Sequence, residues 1–294
     1  MEKLVSVIIP SYNRAHILAK TIPSYMQDGV GEIIVIDDCS ADGTQKVLHK
    51  LKEKIPCLVI KRNRSNRRQT YSKNRGIHLA RYPYIYFGDD DSFITDGTIP
   101  SLLNYIKDRP GSIMCARPIY LWEEHQIRHI ERHIRATEIH SADEGYRFFD
   151  MESMATDSSV YYTKLTKVDM VHACFMISSE SARKLSFDRS YRGGNSFREE
   201  TDFVMQAAKI GIPCYFAPNA CQINYPRKIS DRNTKKRAGV RYYWGRYKNT
   251  KHFLDKHYDF MRSKRMVCSH KYMILMRYIW FEIKRNIKTD NKKI

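Results

Sequence analysis

Two apolar runs in the first third of the chain end abruptly in carboxylates, and this feature constrains the fold more than any other. Glu32–Ile36 leads into Asp37-Asp38, and Tyr84–Phe87 leads into Asp89-Asp90-Asp91. A continuous β-branched run indicates a strand buried on both faces, as in a parallel sheet covered by helices. Because ligands bind beyond the carboxyl ends of such strands, both acidic groups are expected at one binding edge.

Further apolar runs alternate with helical segments along the chain. The predicted strands are Leu4–Ile9, Glu32–Ile36, Cys57–Lys61, Tyr84–Phe87, Ser112–Arg117, Asp169–Ile177 and Ile212–Phe216. The predicted helices are Ile17–Met26, Gln45–Lys54, 71–80 and Glu200–Ile210. This alternation predicts an α/β fold with a doubly wound sheet flanked by helices. The region from 115 to 195 contains no motif that identifies a substrate.

The positive charge is concentrated at the C-terminal end. Of the net charge of +19, residues 226–294 carry +16 and residues 1–225 carry +3. We therefore predict a nearly neutral α/β domain at 1–225 and a basic, helical region at 226–294. A basic surface of this size attracts an anionic partner, either lipid or nucleic acid.

Residues 271–288 favour the lipid interpretation. On a helix they form a broad apolar face and a narrow basic stripe through Arg277, Lys284 and Lys288. Charge interrupts the segment too often for it to span a bilayer, but such a helix can lie in the interface of an anionic membrane with Trp280 at headgroup depth. The alternative is that the helix packs on the α/β domain or in a dimer contact, so the oligomeric state is left open.

Seven cysteines are scattered along the chain without a Cys-x-x-Cys pair, and the N-terminus does not resemble a signal peptide. These features indicate reduced thiols. The expected location is the cytoplasm, with the protein peripheral on the inner face of the membrane.

The acidic groups suggest metal and nucleotide chemistry. The carboxylates of Asp89–Asp91 repel one another, so a fold keeps them where a cation, donors or water offset their charge. Oxygen-only ligands suit Mg²⁺ or Mn²⁺ bridged to phosphate, and a solvated acidic turn is the alternative. Asp38 can accept a hydrogen bond from a base or a ribose hydroxyl. The alternative for the pair Asp37-Asp38 is a structural role, with Asp37, Ser40 or Asp42 capping the helix that follows.

A third acidic segment, Glu199-Glu200-Thr201-Asp202, opens the predicted helix near residue 200. Acids in a first helical turn are favoured by the helix dipole. A carboxylate in this segment can also face a reaction centre as a general base.

Together these segments resemble family 2 glycosyltransferases, which adopt the GT-A fold. Residues 5–14 (Val-Ser-Val-Ile-Ile-Pro-Ser-Tyr-Asn-Arg) are similar to the family's opening strand and loop, and residues 35–44 to its Asp-Asp-Gly-Ser-x-Asp-x-Thr motif. Residues 72–76 (Ser-Lys-Asn-Arg-Gly) resemble its Ala-Arg-Asn-x-Gly helix, 84–91 its Asp-x-Asp strand, and 198–203 its Glu-Asp-x-Asp segment. The resemblance implies a GT-A-like, doubly wound mixed sheet flanked by helices, with the basic helical region appended.

The resemblance also implies nucleotide-binding roles. Pro10, Ser11 and Tyr12 would line the nucleobase pocket. Asp38 would hydrogen-bond the base, typically uracil. Lys73 would lie near the acids or the diphosphate.

A metal site and a base follow from the same resemblance. Asp89 and Asp90 would lie by the ribose and the metal, and Asp91, with Asp89 beside it, would bind Mn²⁺ or Mg²⁺. Glu200 would be the catalytic base, with Asp202 as its substitute because the family more often has Asp. The implied reaction moves a sugar, with inversion, from a UDP-linked donor to a hydroxyl of a glycan or lipid-linked saccharide, as in surface polysaccharide synthesis. Beside other carboxylates, the pKa of the base is expected to be raised.

Two other functions stay open at this point. A nucleotidyltransferase also uses strand-end acids and metal, but it usually has a Gly-rich phosphate loop, which residues 10–13 do not form. A non-catalytic nucleic-acid-binding protein would use the basic region at 226–294, yet the acidic groups would repel phosphate. We therefore expect a nucleotide-sugar donor, a glycan acceptor, an anionic membrane surface and no nucleic acid as partners.

Overall fold

The computed structural model describes residues 2–171, 173–193, 196–230 and 240–290, without the side chains of residue 227 and residues 285–290. The strands are β1 (Val5–Ser11), β2 (Val30–Asp37), β3 (Leu58–Arg62), β4 (Tyr84–Phe87), β5 (Ser92–Ile94), β6 (Ile113–Tyr120), β7 (His140–Ser141), β8 (Phe149–Asp150), β9 (Ala155–Thr156), β10 (Val160–Tyr161), β11 (Thr166–Val168), β12 (Phe175–Ser178) and β13 (Cys214–Asn224). The α-helices are α1 (Leu18–Thr21), α2 (Thr44–Lys54), α3 (Arg68–Leu79), α4 (Thr98–Lys107), α5 (Ile130–Ala136), α6 (Ser179–Arg183), α7 (Glu199–Lys209), α8 (Arg227–Ser230), α9 (Val240–Ser263) and α10 (Lys271–Asp290).

The central sheet is mixed and has the order β11-β13-β6-β12-β4-β1-β2-β3, with β5 paired to β13. Strands β4, β1, β2 and β3 run parallel to one another. Strand β12 is antiparallel to both β4 and β6. Since β1 lies between β2 and β4, the chain builds the sheet outward in both directions, which is the doubly wound arrangement. The predicted α/β fold with a mixed sheet is therefore confirmed.

Apolar packing on both faces explains why the sequence of the central strands is continuously apolar. Ile8 and Ile34 face one core, which contains α3 and α7, whereas Val7, Ile9 and Val35 face the other, which contains α2 and α4. All of these side chains are buried. A strand with one solvated face would alternate apolar and polar residues instead.

Two predicted elements differ from the structure. The predicted strand Asp169–Ile177 is wrong for most of its length, because the strands there are β11, which ends at Val168, and β12, which begins at Phe175. Met170 and Val171 are buried as part of a loop, so their apolar character marks core packing and not a strand. The predicted helix Ile17–Met26 is split into α1 and a 3₁₀ turn that contains Pro23, which cannot donate to a continuous helix.

The C-terminal helices pack on the sheet domain. Phe253 and Leu254 of α9 and Ile274 and Tyr278 of α10 belong to the same core as Phe203 of α7. The described part of the predicted basic region is thus mainly helical, and its helices contact the body of the protein. The boundary at 225/226 stays a prediction.

Part of that region falls outside the structure. Residues 231–239, residues 291–294 and the side chain of Lys288 lie outside the described residues. Among the helices that the structure does describe, none combines the length and the apolar character that crossing a membrane requires.

The contact between α3 and β1 depends on Gly76. A Cβ at this position would lie 2.3 Å from Ile8 Cγ2, and Ile8 is fully buried. We expect Gly76→Ala to lower the free energy of unfolding by about 1–3 kcal/mol, because the core must move to admit a methyl group. Urea denaturation followed by circular dichroism measures the change.

Gly43→Ala is the matched control, since its Cβ would meet Ala15 Cβ at an ordinary 3.6 Å. It should change the free energy of unfolding by no more than about 0.5 kcal/mol. Equal stability of the two variants would contradict the close packing at Gly76.

Candidate functional site

The carboxyl ends of β1, β2 and β4 form one edge of the sheet, and most predicted site residues lie there. Pro10 and Ser11 end β1, with the half-exposed Tyr12 directly after them. The backbone N–H of Asp38 donates to the Ser11 carbonyl at 2.8 Å, which fixes the two strand ends side by side. The acids 89–91 follow β4, the other neighbour of β1.

Burial raises the pKa values of Asp89 and Asp90, the first two acids after β4. Burial, aided by the charges of Asp91, Glu200 and Asp90, raises the pKa of Asp89 to about 7, although Lys73 acts in the opposite direction. Burial also raises the pKa of Asp90, against the attraction of Arg14. The cluster is therefore short of positive charge.

A buried tyrosine holds Asp89 in place. The Tyr25 hydroxyl accepts a hydrogen bond from the Asp89 backbone N–H at 3.1 Å and donates to its carbonyl at 3.0 Å. A side chain at Gly88 would strike the Tyr25 ring, since its Cβ would lie 2.8 Å from Tyr25 Cε1. Tyr25 thus explains why glycine precedes the acids and how their backbone is positioned.

Arg14 joins the acids to the C-terminal part of the chain. Its Nε lies 3.1 Å from Asp90 Oδ1 and one terminal nitrogen lies 3.4 Å from Asp91 Oδ2, while the other donates to the carbonyl of Ser230 at the end of α8. Arg14 belongs to the first sequence motif, but the sequence alone gave it no role. The one signal in the sequence was a positive charge at the end of the loop that follows the first strand. Only the fold shows that this charge lies against the acids.

Lys73 of α3 bridges the two glutamates that open α7. Its buried ammonium lies 2.9 Å from Glu199 Oε1 and 2.6 Å from Glu200 Oε1. Gln69, one turn earlier on α3, also donates to Glu199 Oε1 at 2.6 Å. Although burial acts to lower it, the pKa of Lys73 is raised because both carboxylates stabilise its charge. Lys73, expected near the acids or the diphosphate, therefore also contacts the predicted base Glu200.

The expected raised pKa of Glu200 is wrong. Burial would raise it, but the Lys73 ammonium outweighs burial and holds the pKa of Glu200 below its ordinary value. Burial instead raises the pKa of its neighbour Glu199. Burial and the shared ammonium thus move the pKa values of the two neighbouring glutamates in opposite directions.

Asp202 lies in a different network from Glu200. Its carboxylate is fully buried and accepts hydrogen bonds from His257 Nε2 at 2.7 Å, Lys256 Nζ at 3.0 Å and the Tyr191 hydroxyl at 3.1 Å. Because His257 and Lys256 belong to α9, this carboxylate joins α7 to α9. The structure does not bring Asp202 to Lys73 or to the acids after β4.

Asp38 anchors the loop between β3 and α3. Its buried carboxylate accepts hydrogen bonds from Asn63 Nδ2 at 2.7 Å and from the backbone N–H groups of Arg67 at 2.8 Å and Arg68 at 2.6 Å. Asp37 accepts from the backbone N–H of Ser40 at 3.0 Å, before α2 begins, and that helix has no side-chain cap, so the helix-capping alternative is wrong for Asp37.

The carboxylates of residues 89–91 could hold a metal ion only together with oxygen atoms from a bound phosphate or from water. Among the described residues, no group of three or more His, Cys, Asp or Glu side chains is arranged to hold a metal ion. The donors at 89–91 are nevertheless all carboxylate oxygens, and burial raises the pKa of Asp89 and Asp90, which a cation would reverse. A metal bound there would need phosphate or water oxygens to complete its coordination.

Comparison with known proteins agrees with this geometry. Residues 6–186 match the model of the family described as "Glycosyl transferase family 2". This match covers more than half of the chain, so the chain belongs to glycosyl transferase family 2.

One curated relative and two solved structures show the range of similarity. The chain is 22% identical over 213 residues to "Minor teichoic acid biosynthesis protein GgaB" of Bacillus subtilis (strain 168), covering 70% of this chain and 22% of the relative. It superposes with a TM-score of 0.58 and 14% identity on S. aureus TarS 1-349 in complex with UDP-GlcNAc, covering 94% of this chain and 71% of that one. For GalNAc-T7 with UDP, GalNAc and Mn2+, the TM-score is 0.67 at 15% identity, covering 88% of this chain and 50% of that one.

The chain spans less than half the length of the first three curated relatives that it matches. The solved structures share the fold at low sequence identity. They support the GT-A fold of this chain, with a mixed sheet and flanking helices.

The raised pKa of Asp89 predicts a pH-dependent gain of stability in Asp89→Asn. The folded protein binds the proton of the Asp89 carboxyl group more tightly than the unfolded chain does. Ionisation of Asp89 therefore lowers the free energy of unfolding progressively as the pH rises from 3.8 to about 7, and the loss is complete above that pH. In metal-free buffer at pH 8, the variant should be about 1–2 kcal/mol more stable than the wild type. The gain should vanish near pH 4, as measured by thermal or urea unfolding at both pH values.

Asp28→Asn is the control, because Asp28 is exposed. This variant should match the wild type within about 0.5 kcal/mol at both pH values. A gain for Asp89→Asn that is the same at both pH values would show that the charge of Asp89 is not its cause.

Proposed function

We propose that the protein transfers a sugar, with inversion, from a nucleoside diphosphate donor to a hydroxyl of a surface glycan or lipid-linked saccharide. The observation that carries the proposal is the position of ionised Glu200, held by Lys73, beside the acids after β4. Membership of glycosyl transferase family 2 supports the reaction class. The Bacillus relative is a teichoic acid biosynthesis protein, which supports a surface polysaccharide as the product.

The donor is proposed to lie across the carboxyl ends of β1, β2 and β4. Pro10, Ser11 and Tyr12 would contact the nucleobase, with Tyr12 exposed enough to stack on it. Asp38, whose carboxylate already holds the backbone of Arg67 and Arg68, would accept one further hydrogen bond from the base. The structural neighbours TarS, in complex with UDP-GlcNAc, and GalNAc-T7, with UDP, support a UDP-linked sugar.

The chemical step is a single displacement. Glu200 takes the proton of the acceptor hydroxyl as that oxygen forms a bond to the anomeric carbon, and the bond to the diphosphate oxygen breaks from the opposite face. The nucleoside diphosphate leaves with the electron pair. Lys73 positions Glu200 and keeps it ionised until the proton moves.

A divalent ion, Mn²⁺ or Mg²⁺, is proposed to bind with Asp91 and Asp89. Such an ion would supply positive charge at the diphosphate leaving group. The Mn2+ that accompanies UDP in the structure of GalNAc-T7 supports this proposal. Arg14, which contacts Asp90 and Asp91, already provides part of that charge from the chain itself.

The proposed base is tested by Glu200→Gln. We expect kcat for sugar transfer to fall about 10²–10⁴-fold, since the amide cannot accept the proton, while donor affinity stays within about threefold. The assay is release of nucleoside diphosphate from a panel of nucleotide sugars with and without Mn²⁺, together with donor titration by calorimetry. Loss of donor binding together with activity would contradict a role confined to proton transfer.

Asp202→Asn distinguishes the two candidate bases. Because the carboxylate of Asp202 is enclosed by Tyr191, Lys256 and His257, this variant should lower the melting temperature but retain kcat per folded molecule. If Asp202→Asn abolishes transfer while Glu200→Gln retains it, the two roles are reversed.

Membrane association is proposed for α10. Its inward face is buried through Ile274, Leu275 and Tyr278. Its outward face presents an apolar stripe, whose side chains are 45–61% exposed: Tyr272, Met273, Met276, Trp280 and Ile283. The stripe spans about 100° of the helix, the width of an amphipathic face. Lys284, whose ammonium lies 5.0 Å from the Trp280 ring, borders it with positive charge.

This stripe suits the interface of an anionic membrane. The helix can therefore pack on the protein with one face and bind lipid with the other. The proposed location is the cytoplasmic face of the membrane, where a lipid-linked acceptor would be within reach.

Met276→Ser/Trp280→Ser tests the stripe. Removing two exposed apolar side chains should weaken binding to anionic phosphatidylglycerol vesicles at least about tenfold, without changing the melting temperature by more than a few degrees. Vesicle sedimentation measures the binding.

Trp122→Ser/Ile139→Ser is the matched control, because these two exposed apolar side chains lie far from α10 in the sequence. It should bind vesicles like the wild type. Equal binding by wild type and both double variants would contradict membrane contact through the stripe.

A further inference from the structure

A polar cavity of about 240 Å³ lies between the β3–α3 loop and the segment that precedes α7. It is lined by Ser65, Asn66, Arg67, Arg68, Thr70, Arg189 and Arg192. Four of these seven side chains are arginines, and none is a carboxylate. The cavity is therefore a strongly positive pocket, which we call the arginine pocket.

The four guanidinium groups have no carboxylate partner within the described ranges. Arg67 and Arg189 both lie over the ring of Tyr71, at 4.1 and 5.6 Å from its centre. Arg192 Nε donates to the carbonyl of Arg189 at 3.3 Å. Four like charges around one cavity repel one another, and an anion in the cavity would relieve that repulsion.

The nearby carboxylates are engaged elsewhere. Asp38 accepts hydrogen bonds from the backbone N–H groups of Arg67 and Arg68, so it holds the loop through its backbone and not through the two guanidinium groups. Asp188, next to Arg189 in the sequence, binds Lys256 Nζ at 2.9 Å and His252 Nε2 at 3.3 Å. The pocket is thus built on a fixed loop, and its charge is available to a ligand.

The arginine pocket lies beside the glutamates and apart from the acids after β4. Gln69, adjacent to Arg68, donates to Glu199 Oε1 at 2.6 Å. Strand β3, which leads into the pocket's loop, is separated from β4 by β1 and β2. At the usual strand spacing this is about 14 Å from the acids where the donor diphosphate is proposed to lie. An anion in the pocket therefore belongs to another molecule or to a remote part of one.

We propose that the arginine pocket binds a phosphate group of the acceptor, either a phosphodiester of a polyol-phosphate chain or the diphosphate of a lipid carrier. This inference rests on the proposed function and names the acceptor class. Guanidinium groups match phosphate oxygens in paired hydrogen bonds, which explains why arginines line the pocket. The contact would hold the acceptor while one of its hydroxyls reaches Glu200.

Arg189→Gln/Arg192→Gln tests the proposal, because both side chains are exposed and their loss should not disturb the core. We expect KM for a phosphate-bearing acceptor to rise at least about tenfold, from the loss of two charge-assisted contacts. KM for the donor and the acceptor-free hydrolysis of the donor should stay unchanged. Three acceptors are compared: a synthetic ribitol-phosphate oligomer, a lipid-diphosphate saccharide, and the same saccharide without phosphate.

The outcome identifies the source of the phosphate. If KM rises only for the ribitol-phosphate oligomer, the pocket binds a phosphodiester chain. If KM rises only for the lipid-diphosphate saccharide, the pocket binds the diphosphate of a lipid carrier. A raised donor KM, or the same KM change for the phosphate-free saccharide, would overturn the proposal. Arg132→Gln/Arg135→Gln, at two exposed arginines of α5, is the matched control and should leave every KM unchanged.

A binding measurement separates this proposal from the proposed function. Inorganic pyrophosphate is titrated by calorimetry without divalent metal, so that the acids after β4 repel it. The wild type and the α5 control should bind it, and Arg189→Gln/Arg192→Gln should lose at least about tenfold in affinity. Equal affinity in all three proteins would overturn the arginine pocket even if the enzyme transfers sugar. Pyrophosphate binding that is lost in the variant, with no turnover of any donor, would instead contradict the proposed function alone.

Discussion

The buried bridge from Lys73 to Glu199 and Glu200 is the interaction on which the site depends. A lysine with its ammonium removed from water is tolerated only because two carboxylates lie within 2.9 Å of it. The bridge joins α3, which packs on β1, to the start of α7. The two glutamates respond differently to this environment, because Lys73 holds the pKa of Glu200 below its ordinary value while burial raises the pKa of Glu199.

Arg14 contacts and partly neutralises the acids after β4, as Lys73 does for Glu199 and Glu200. Each cation contacts two acidic groups, and each connects segments that are far apart in the sequence. The two arrangements differ in how far the positive charge offsets the negative charge. Asp89 and Asp90 keep raised pKa values despite Arg14 and Lys73, so this cluster retains room for more positive charge. The proposed metal and the proposed base thus have different electrostatic surroundings at one edge of the sheet.

The C-terminal helices pack on the sheet domain, which is one of the two alternatives that the sequence left open. Asp202 of α7 binds Lys256 and His257 of α9, and Arg246 of α9 binds Glu282 of α10 at 2.9 Å. These polar contacts and the apolar core fix the helices to the sheet domain. The apolar stripe on the outer face of α10 remains exposed, so this packing leaves the proposed membrane-binding face free.

The sequence by itself determined the central strands, the acids at their ends and the family, because these are properties of short segments with a fixed order. It also predicted, by motif, that Lys73 and Glu200 are site residues. Only the tertiary structure decided that Asp202 belongs to a separate buried network, that Lys73 lowers the pKa of Glu200, and that four arginines from two distant segments share one cavity. The physical reason is that burial and charge act through space, and the sequence does not show which distant side chains become neighbours.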